Sequence, residues 1–474
     1  MQIAGRKDEI KVLQSLVTRP DSSFIALYGR RRIGKTYLVR QVYQDSIVFE
    51  CSGLHQKDFS QQLENFWLTL IEVSPKEKLS FPKTWLQAFA ELKMYLKGLP
   101  TQQKKVIFLD EIAWFETPKS GFLAALENFW NQFCSKRNDI ILVICGSAAS
   151  WIIDKIINNR GGLHNRITCH IQLMPFTLRE TKEFLELSNT RLTLKDIATL
   201  YMAVGGVPYY LKDIKNGQSV PQIIDNLLFA PQASLKNEFN NLYASLFKNS
   251  DLHVLIIKAL ANKNKGLTRS ELLTETGISS GGGFSVILQE LVACGFLKII
   301  FPINKTKEDL LYRLVDEYSI FYFKFLVNNK VNSSWLQMTN KPSYKIWTGY
   351  AFENLCFKHV FQIKKALGIH GIISNEYSWI ESGNKAQKGT QIDLIIDRDD
   401  NCINILEIKF YDSVFEMSKN YAQQLIEKVS IFKKKTKLKK NIFLTLLTAN
   451  GAKKNEYFLS TITNELNLED LFEK

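Results

Sequence analysis

The chain has 474 residues, 45% of them hydrophobic and 23% charged, which excludes a disordered polymer and suits a folded protein of several domains. A net charge of +14 favours an anionic partner, with nucleic acid the common one, although a basic surface also serves solubility. Seven cysteines, an odd number with no C-x-x-C pair, argue against a disulfide frame or a zinc site.

Strands are predicted at 24–28, 46–51, 106–109, 140–145 and 169–173, alternating with helical stretches. The first, third and fourth are almost wholly apolar, as strands buried on both faces must be, so a parallel sheet with crossover helices is expected. The longest strongly apolar stretch, 140–153, is too short to span a bilayer and is interrupted by Gly146, Ser147 and Ser150. With no apolar signal core in MQIAGRKDEI, the cytoplasm is the expected compartment. Residues 176–250 read as a helical lid.

From about 251 the pattern changes. Amphipathic helices are expected at 252–261, 268–276 and 280–293, the second opened by a capping box of Thr268 and Glu271 and closed by Gly277. Strands at 296–301 and 310–314 follow, and three helices with a hairpin make a winged helix-turn-helix over 251–328. A polar linker at 328–334 leads into a final α/β domain, 335–474.

Between the first strand and the helix TYLVRQVY, which opens on Thr36 and Tyr37, lies Gly29-Arg30-Arg31-Arg32-Ile33-Gly34-Lys35-Thr36, the pattern GxxxxGK[ST]. Glycines let the backbone wrap closely around phosphates, and the N–H groups with the helix N-terminus supply positive potential. Lys35 is expected on the β and γ phosphates of ATP and Thr36 on Mg²⁺. In VIFLDE, Asp110 ends a buried strand and is expected to hold the same Mg²⁺, while Glu111 could polarise the attacking water.

The GRRRIGKT loop, LDEIAWF, the strand ending ICGS and GGVPYYL at 205–211 resemble AAA+-related DExx-box ATPases of archaeal type. That resemblance spans nearly the whole chain. It implies an ATPase core over 1–175 with sheet order 5-1-4-3-2. It also implies a sensor role for Ser147, an entry motif in Gly5, Arg6 and Glu9 near the adenine, and Pro208 against the base. Each of the three also reads as a turn or cap. Arg166 in GGLHNRIT matches the position of a finger arginine acting in a neighbouring subunit of a homo-oligomer, or is a surface or phosphate-sensing arginine.

The third helix of the winged-helix segment carries no Lys or Arg, so only Gln289 could read a base, while Ser279, Ser280 and the glycines could admit a phosphate. Lys305 and Lys307 lie in the wing. A lid or packing module is the alternative.

In the last domain Asp393, in an apolar strand, is followed fourteen residues later by Glu407-Ile408-Lys409 in another. A hairpin brings the two acids together, and the period of two points Lys409 to the same face. The pattern resembles the PD-(D/E)XK nuclease, or restriction-endonuclease-like, fold, although Gln391 and Ile392 stand where the family proline is expected. It implies a second Mg²⁺ or Mn²⁺ on Asp393 and Glu407, with Glu353 as a further ligand and Lys409 activating water. Tyr421, Gln424, Lys419 and Lys428 lie on the next helix, and Lys433–Lys435, Lys437, Lys439 and Lys440 form either a phosphate-binding ridge or a solvated helix end. Two readings result: an ATPase acting on DNA with a nuclease-like effector, and a nucleotide-driven switch whose later domains bind protein and cut nothing.

Overall fold

The computed structural model describes residues 3–473 except 75–79, 101–102, 160, 248, 264, 302, 304–308, 328–333 and 382–388. The chain divides into two compact units, Met1–Met174 and Pro175–Lys474. The linker expected at 328–334 and the wing lysines Lys305 and Lys307 fall largely outside the described residues.

In the first unit the expected strands form at β1 Ser23–Tyr28, β2 Ile47–Ser52, β3 Lys105–Asp110, β4 Ile140–Gly146 and β5 Cys169–Gln172. They pair in parallel in the order β2-β3-β4-β1-β5, which is the implied 5-1-4-3-2 read from the other edge. Every residue of β1, β3 and β4 is buried, so alternation is absent where both faces are covered by helices. The helix Lys35–Tyr43 packs Leu38, Val39 and Tyr43 into the same core as Ile25, Leu27, Phe108 and Val143. On the other face Trp85, Phe89, Phe122 and Phe129 stack edge to face and in parallel between the helices Trp85–Gly98 and Phe122–Gln132.

The second unit begins with helices Leu178–Leu187, Leu194–Val204, Pro208–Leu211, Val220–Ile224 and Glu238–Leu246. Thr177 with Glu180 and Thr193 with Asp196 open the first two as capping boxes. The GG pair of GGVPYYL has a packing reason. The Phe176 N–H donates to the Gly206 carbonyl at 2.7 Å, and a Cβ on Gly206 would stand 2.0 Å from the Phe176 carbonyl oxygen.

Helices Ser250–Ala261, Arg269–Thr276 and Gly282–Ala293 follow, with a three-stranded antiparallel sheet of β6 Leu267–Thr268, β7 Leu297–Ile300 and β8 Leu311–Leu314, in the order β6-β8-β7. The Thr268–Glu271 capping box is present, and Gly277 closes its helix at φ 68°.

A second sheet has the order β13-β12-β11-β10-β9, from β9 Ser374–Glu381, β10 Thr390–Arg398, β11 Cys402–Lys409, β12 Asn441–Thr448 and β13 Asn464–Asn467. β9, β10 and β11 run antiparallel, and the helix Lys419–Thr436 then carries the chain across to β12, parallel to β11.

Two devices tie this unit together. His359, fully buried, takes the Leu178 N–H on Nε2 at 3.0 Å, and its Nδ1 lies 2.9 Å from the Leu355 carbonyl. Burial pushes its imidazole down to about 4, so the ring is neutral and can do both. Trp335 lies among Phe229, Phe321, Phe325 and Trp347, and its N–H donates to Asp225 at 2.5 Å. Among the described residues no helix is long and apolar enough to cross a membrane, and the seven cysteines are free thiols.

Replacing Gly206 by Ala is expected to cost about 1–3 kcal/mol, because the obstructing atom is backbone and cannot rotate away. A lower urea midpoint in the tryptophan-fluorescence transition would register it; an unchanged midpoint would refute the close-approach argument.

Candidate functional site

The loop after β1 turns on Gly29, at φ 147°. A Cβ there would lie 2.3 Å from the Leu173 carbonyl oxygen and 2.8 Å from Ile33 Cδ1, so a glycine is required. Ile33 is buried in the core below the loop, Arg30 is buried, Arg31 is exposed, Arg32 is half-buried and Tyr37 is exposed. Gly34 caps the helix Lys35–Tyr43, whose first N–H groups have no intrahelical acceptor and so face outward as an anion cradle.

Five side chains from three strand ends lie at this loop. Lys35 Nζ donates to the Gly29 and Arg30 carbonyls, both at 2.9 Å, so the lysine is folded back on its own loop. The Thr36 hydroxyl donates to Asp110 Oδ2 at 2.6 Å, and the other Asp110 oxygen takes the Glu111 N–H at 2.9 Å. Glu111 has φ 47°, a left-handed conformation rare for a non-glycine residue, and starts a short 3₁₀ turn. That geometry turns its carboxylate to Ser147, whose N–H and hydroxyl both donate to Glu111 Oε2, at 3.1 and 2.8 Å. Burial pushes the Cys145 thiol well up, and Asp110 beside it adds to the rise. A hydroxyl and a carboxylate oxygen in contact form the hard oxygen donor set that Mg²⁺ prefers, so these residues fit that ion.

Arg6 is buried and in the left-handed region. Its guanidinium donates to the Met174 carbonyl at 2.6 Å and the Ile33 carbonyl at 3.3 Å, with Glu9 3.6 Å away. It therefore braces the phosphate loop against the end of β5. Arg166 is exposed in the turn before β5. Pro208, in the second unit, opens the helix Pro208–Leu211, whose Tyr210 hydroxyl donates to Glu238.

A second polar cluster lies in the mixed sheet. Leu394 pairs with Leu406, so Asp393 and Glu407 are the next cross-strand pair. The register of β10 on β9 slips between Ile392 and Ile395, placing Asp393 at a bulge, a feature that re-aims side chains. Asp393 Oδ2 accepts from the Ile408 N–H at 3.1 Å. Glu407 is buried and saturated: Oε1 takes the Tyr421 hydroxyl at 2.5 Å and Lys409 at 2.8 Å, while Oε2 takes Lys428 at 2.6 Å.

The charges divide accordingly. Burial raises Glu407, but Lys409 and Lys428 overcome it and hold the group down at about 2. Burial and then the Glu407 charge push Asp393 up to about 6. Burial, with Asp393, pushes Glu353 up to about 8.

Glu353, Asp393 and Glu407 thus share one electrostatic neighbourhood. The three-carboxylate metal seat expected from the sequence is nevertheless not assembled, because the Glu407 oxygens are taken by its lysines and tyrosine. Among the described residues no three His, Cys, Asp or Glu side chains converge as ligands.

Sequence reasoning missed Arg313 on β8, whose burial lowers its pKa, an effect that the Glu353 and Asp393 charges partly offset. Its signal was an arginine inside the apolar run LLYRLV. Lys428 was seen only as a basic residue, although seven positions from Tyr421 put both on one helix face. Gln424 and Lys419 are exposed, as are Lys433, Lys434, Lys435, Lys437 and Lys439. Lys435 pairs with Glu381, and Lys440 pairs with Asp397 at 2.6 Å.

Residues 3–214 match the model of a family described as an ATPase domain predominantly from Archaea, which supports ATP binding and hydrolysis. An uncharacterized protein of Methanocaldococcus jannaschii is 22% identical over 422 residues, covering 86% of this chain and 87% of its own. The Walker-type ATPase of Pyrococcus abyssi is 16% identical, with a TM-score of 0.46 over 68% of this chain and 96% of that one. The ORC2 protein of Aeropyrum pernix is 15% identical, with a TM-score of 0.41 over 68% and 93%.

The acid cluster gives a pH prediction. Asp393 and Glu353 titrate above their ordinary values, so the folded form holds their protons more tightly, and their contribution to stability is lost as pH rises through about 6 and about 8. Glu407 is opposite: its contribution is present above the ordinary carboxylate value and is lost as pH falls towards about 2. Glu353→Gln should therefore melt higher than wild type near pH ~9, by about 2–4 °C for each kcal/mol recovered, with the gap closing near pH ~5. A gap independent of pH would contradict the assignment.

Proposed function

We propose that the chain is a Mg²⁺-dependent ATP hydrolase that acts on DNA, with its C-terminal nuclease-like domain as effector. The contact of Thr36 with Asp110, beside Glu111 and Ser147, carries the ATPase reading. It supports Thr36 and Asp110 as the metal-binding hydroxyl and carboxylate, Glu111 as the water-polarising carboxylate and Ser147 as the γ-phosphate sensor. Lys35 leaves two neutral carbonyls for phosphate oxygens, which bond it about twice as strongly. Thr36 and Asp110 would hold Mg²⁺, which would neutralise charge on the phosphates. Glu111 must release Ser147 to reach the water, and the freed Ser147 hydroxyl can then bond the γ-phosphate. Arg166, exposed, is available to a neighbouring copy as a finger.

The DNA reading rests on the net charge of +14 and on elements suited to nucleic acid. The three helices with the antiparallel sheet β6-β8-β7 support a winged helix. Gln289 is exposed on its third helix. Arg269, bonded to Ser280 and the Gly281 carbonyl at 3.3 Å each, brings to that helix's N-terminus the positive charge its own sequence lacks. The antiparallel β9-β10-β11, the crossover helix and the parallel β12 support the PD-(D/E)XK-like fold. One observation favours the alternative of a nucleotide-driven switch with non-catalytic later domains. Glu407 is saturated by Tyr421, Lys409 and Lys428, as in an acid cluster kept for structure.

Lys35→Ala should abolish nucleotide binding or turnover. Glu111→Gln should bind ATP and hydrolyse it at least ~100-fold more slowly, since it keeps the cradle and loses the base. Steady-state phosphate release with a parallel nucleotide-binding assay reads both; equal rates in wild type and Lys35→Ala would remove the assignment.

DNA binding should fall steeply with salt, as counterion release requires. Plasmid and linear DNA with Mg²⁺ or Mn²⁺ should be cut by wild type and not by Asp393→Ala. Binding without any wild-type cleavage would select a non-catalytic C-terminal domain, and no binding at low salt would select the switch.

A further inference from the structure

Within the second unit a cavity of about 70 Å³ opens between the helix Pro342–Lys358, the helix Ser250–Ala261 and β8. Its buried wall includes Arg313, Trp347 and Asn354, and its mouth includes the exposed Asn262, Lys324 and Tyr350. Of the cavity's polar atoms that are buried without a hydrogen-bond partner among the described residues, Glu317 Oε1 is ion-paired with Lys358, while Arg313 Nε, Trp347 Nε1 and Asn354 Oδ1 are not in an ion pair. Asn354 is oriented by its own Nδ2, which donates to the Val315 carbonyl at 3.2 Å, so Oδ1 is left as an acceptor.

An unmade bond on a buried polar atom costs about 1–3 kcal/mol, so three around one cavity indicate a ligand with matching groups. The demand is specific: two N–H donors and one acceptor, with a guanidinium on the wall and an ammonium at the mouth. The Glu353 and Asp393 charges favour that guanidinium without bonding it, and its face lies 4.9 Å from the Phe357 ring. Glu317, also lining the cavity, is neutralised by Lys358 at 2.7 Å.

The geometry points to a binding site for a phosphate group, in which Arg313 Nε and Trp347 Nε1 donate to its oxygens, Asn354 Oδ1 accepts from a P–OH, and Lys324 closes the mouth. Water is the simplest competitor, since the cavity exceeds the ~10–15 Å³ that one molecule needs. Water satisfies the bonds, whereas a phosphate also gives the guanidinium a directly bonded anion, which Glu353 and Asp393 do not. The phosphate can be free inorganic phosphate or the terminal phosphate of a nucleic-acid strand.

The test is calorimetry with inorganic phosphate on the full chain carrying Lys35→Ala, which silences the P-loop as a phosphate site. One saturable site is expected to remain, at least tenfold weaker after adding Arg313→Met and several-fold weaker after adding Lys324→Ala. The latter change is at an exposed position and leaves the fold intact if the buried substitution does not. Competition by 5′-phosphorylated dithymidylate, but not by its unphosphorylated form, would assign the site to strand ends. Failure of both to compete would assign it to free phosphate. No residual site in Lys35→Ala, meaning ordered water only, would overturn the proposal, as would a residual site indifferent to both added substitutions. ATP binding by wild type is measured separately, so failure of the ATPase reading would be seen on its own.

Discussion

The hydrogen bond from Thr36 to Asp110 joins residues 74 positions apart, and the nucleotide site depends on it. It exists because β4 lies between β1 and β3, so all three strands end on one edge of a parallel sheet. The loop after β1 brings Lys35 and Thr36, β3 brings Asp110 and Glu111, and β4, between them, brings Ser147 to Glu111. Strand order alone therefore determines which side chains can meet. The order is protected by burial on both faces, since a displaced strand would carry a row of apolar side chains into water.

The second unit meets a different constraint. Three carboxylates, Glu353, Asp393 and Glu407, stand near three cations, Lys409, Lys428 and Arg313. Burying an isolated charge costs several kcal/mol, so such a group persists only as a set. Arg313 comes from the three-stranded sheet, and the acids come from the helix Pro342–Lys358 and the mixed sheet. The electrostatic balance therefore spans segments that the sequence presents as separate modules, and His359 at the Leu178 N–H extends the same connection to the helices that begin the unit.

What could be read in advance follows the range of the interaction. The P-loop was legible because its chemistry is local: eight consecutive residues between a buried strand and a helix. The five strands of the first sheet were legible within two residues because buried apolar runs have sharp ends. The pairing of Asp393 with Glu407 was legible because a hairpin and a period of two determine it. Lys428 and Arg313 were not, because each reaches its acid from another element and no local pattern announces that. Arg6 was read as an entry residue near adenine by resemblance; its contacts with Ile33 and Met174 depend on how the N-terminal helix docks, which the sequence leaves open.

The two acid sites differ in what an incoming ligand would have to displace. At the P-loop, Lys35 must give up two hydrogen bonds to neutral carbonyls, each with a net worth of about 0.5–1.5 kcal/mol, and phosphate offers stronger bonds in return. Glu111 must turn from one serine, which breaks no ion pair. At the mixed sheet, Glu407 must lose at least one half-buried ammonium before a cation can take its oxygens, and the about 3–5 kcal/mol for breaking a fully buried pair is an upper bound on that cost. A divalent ion alone would have to repay that cost. A bound polyanion lowers it, because phosphates can take the displaced Lys428 or Lys409 as partners. Under the proposed function, a metal ion would therefore reach the C-terminal acids more readily with nucleic acid bound than without it.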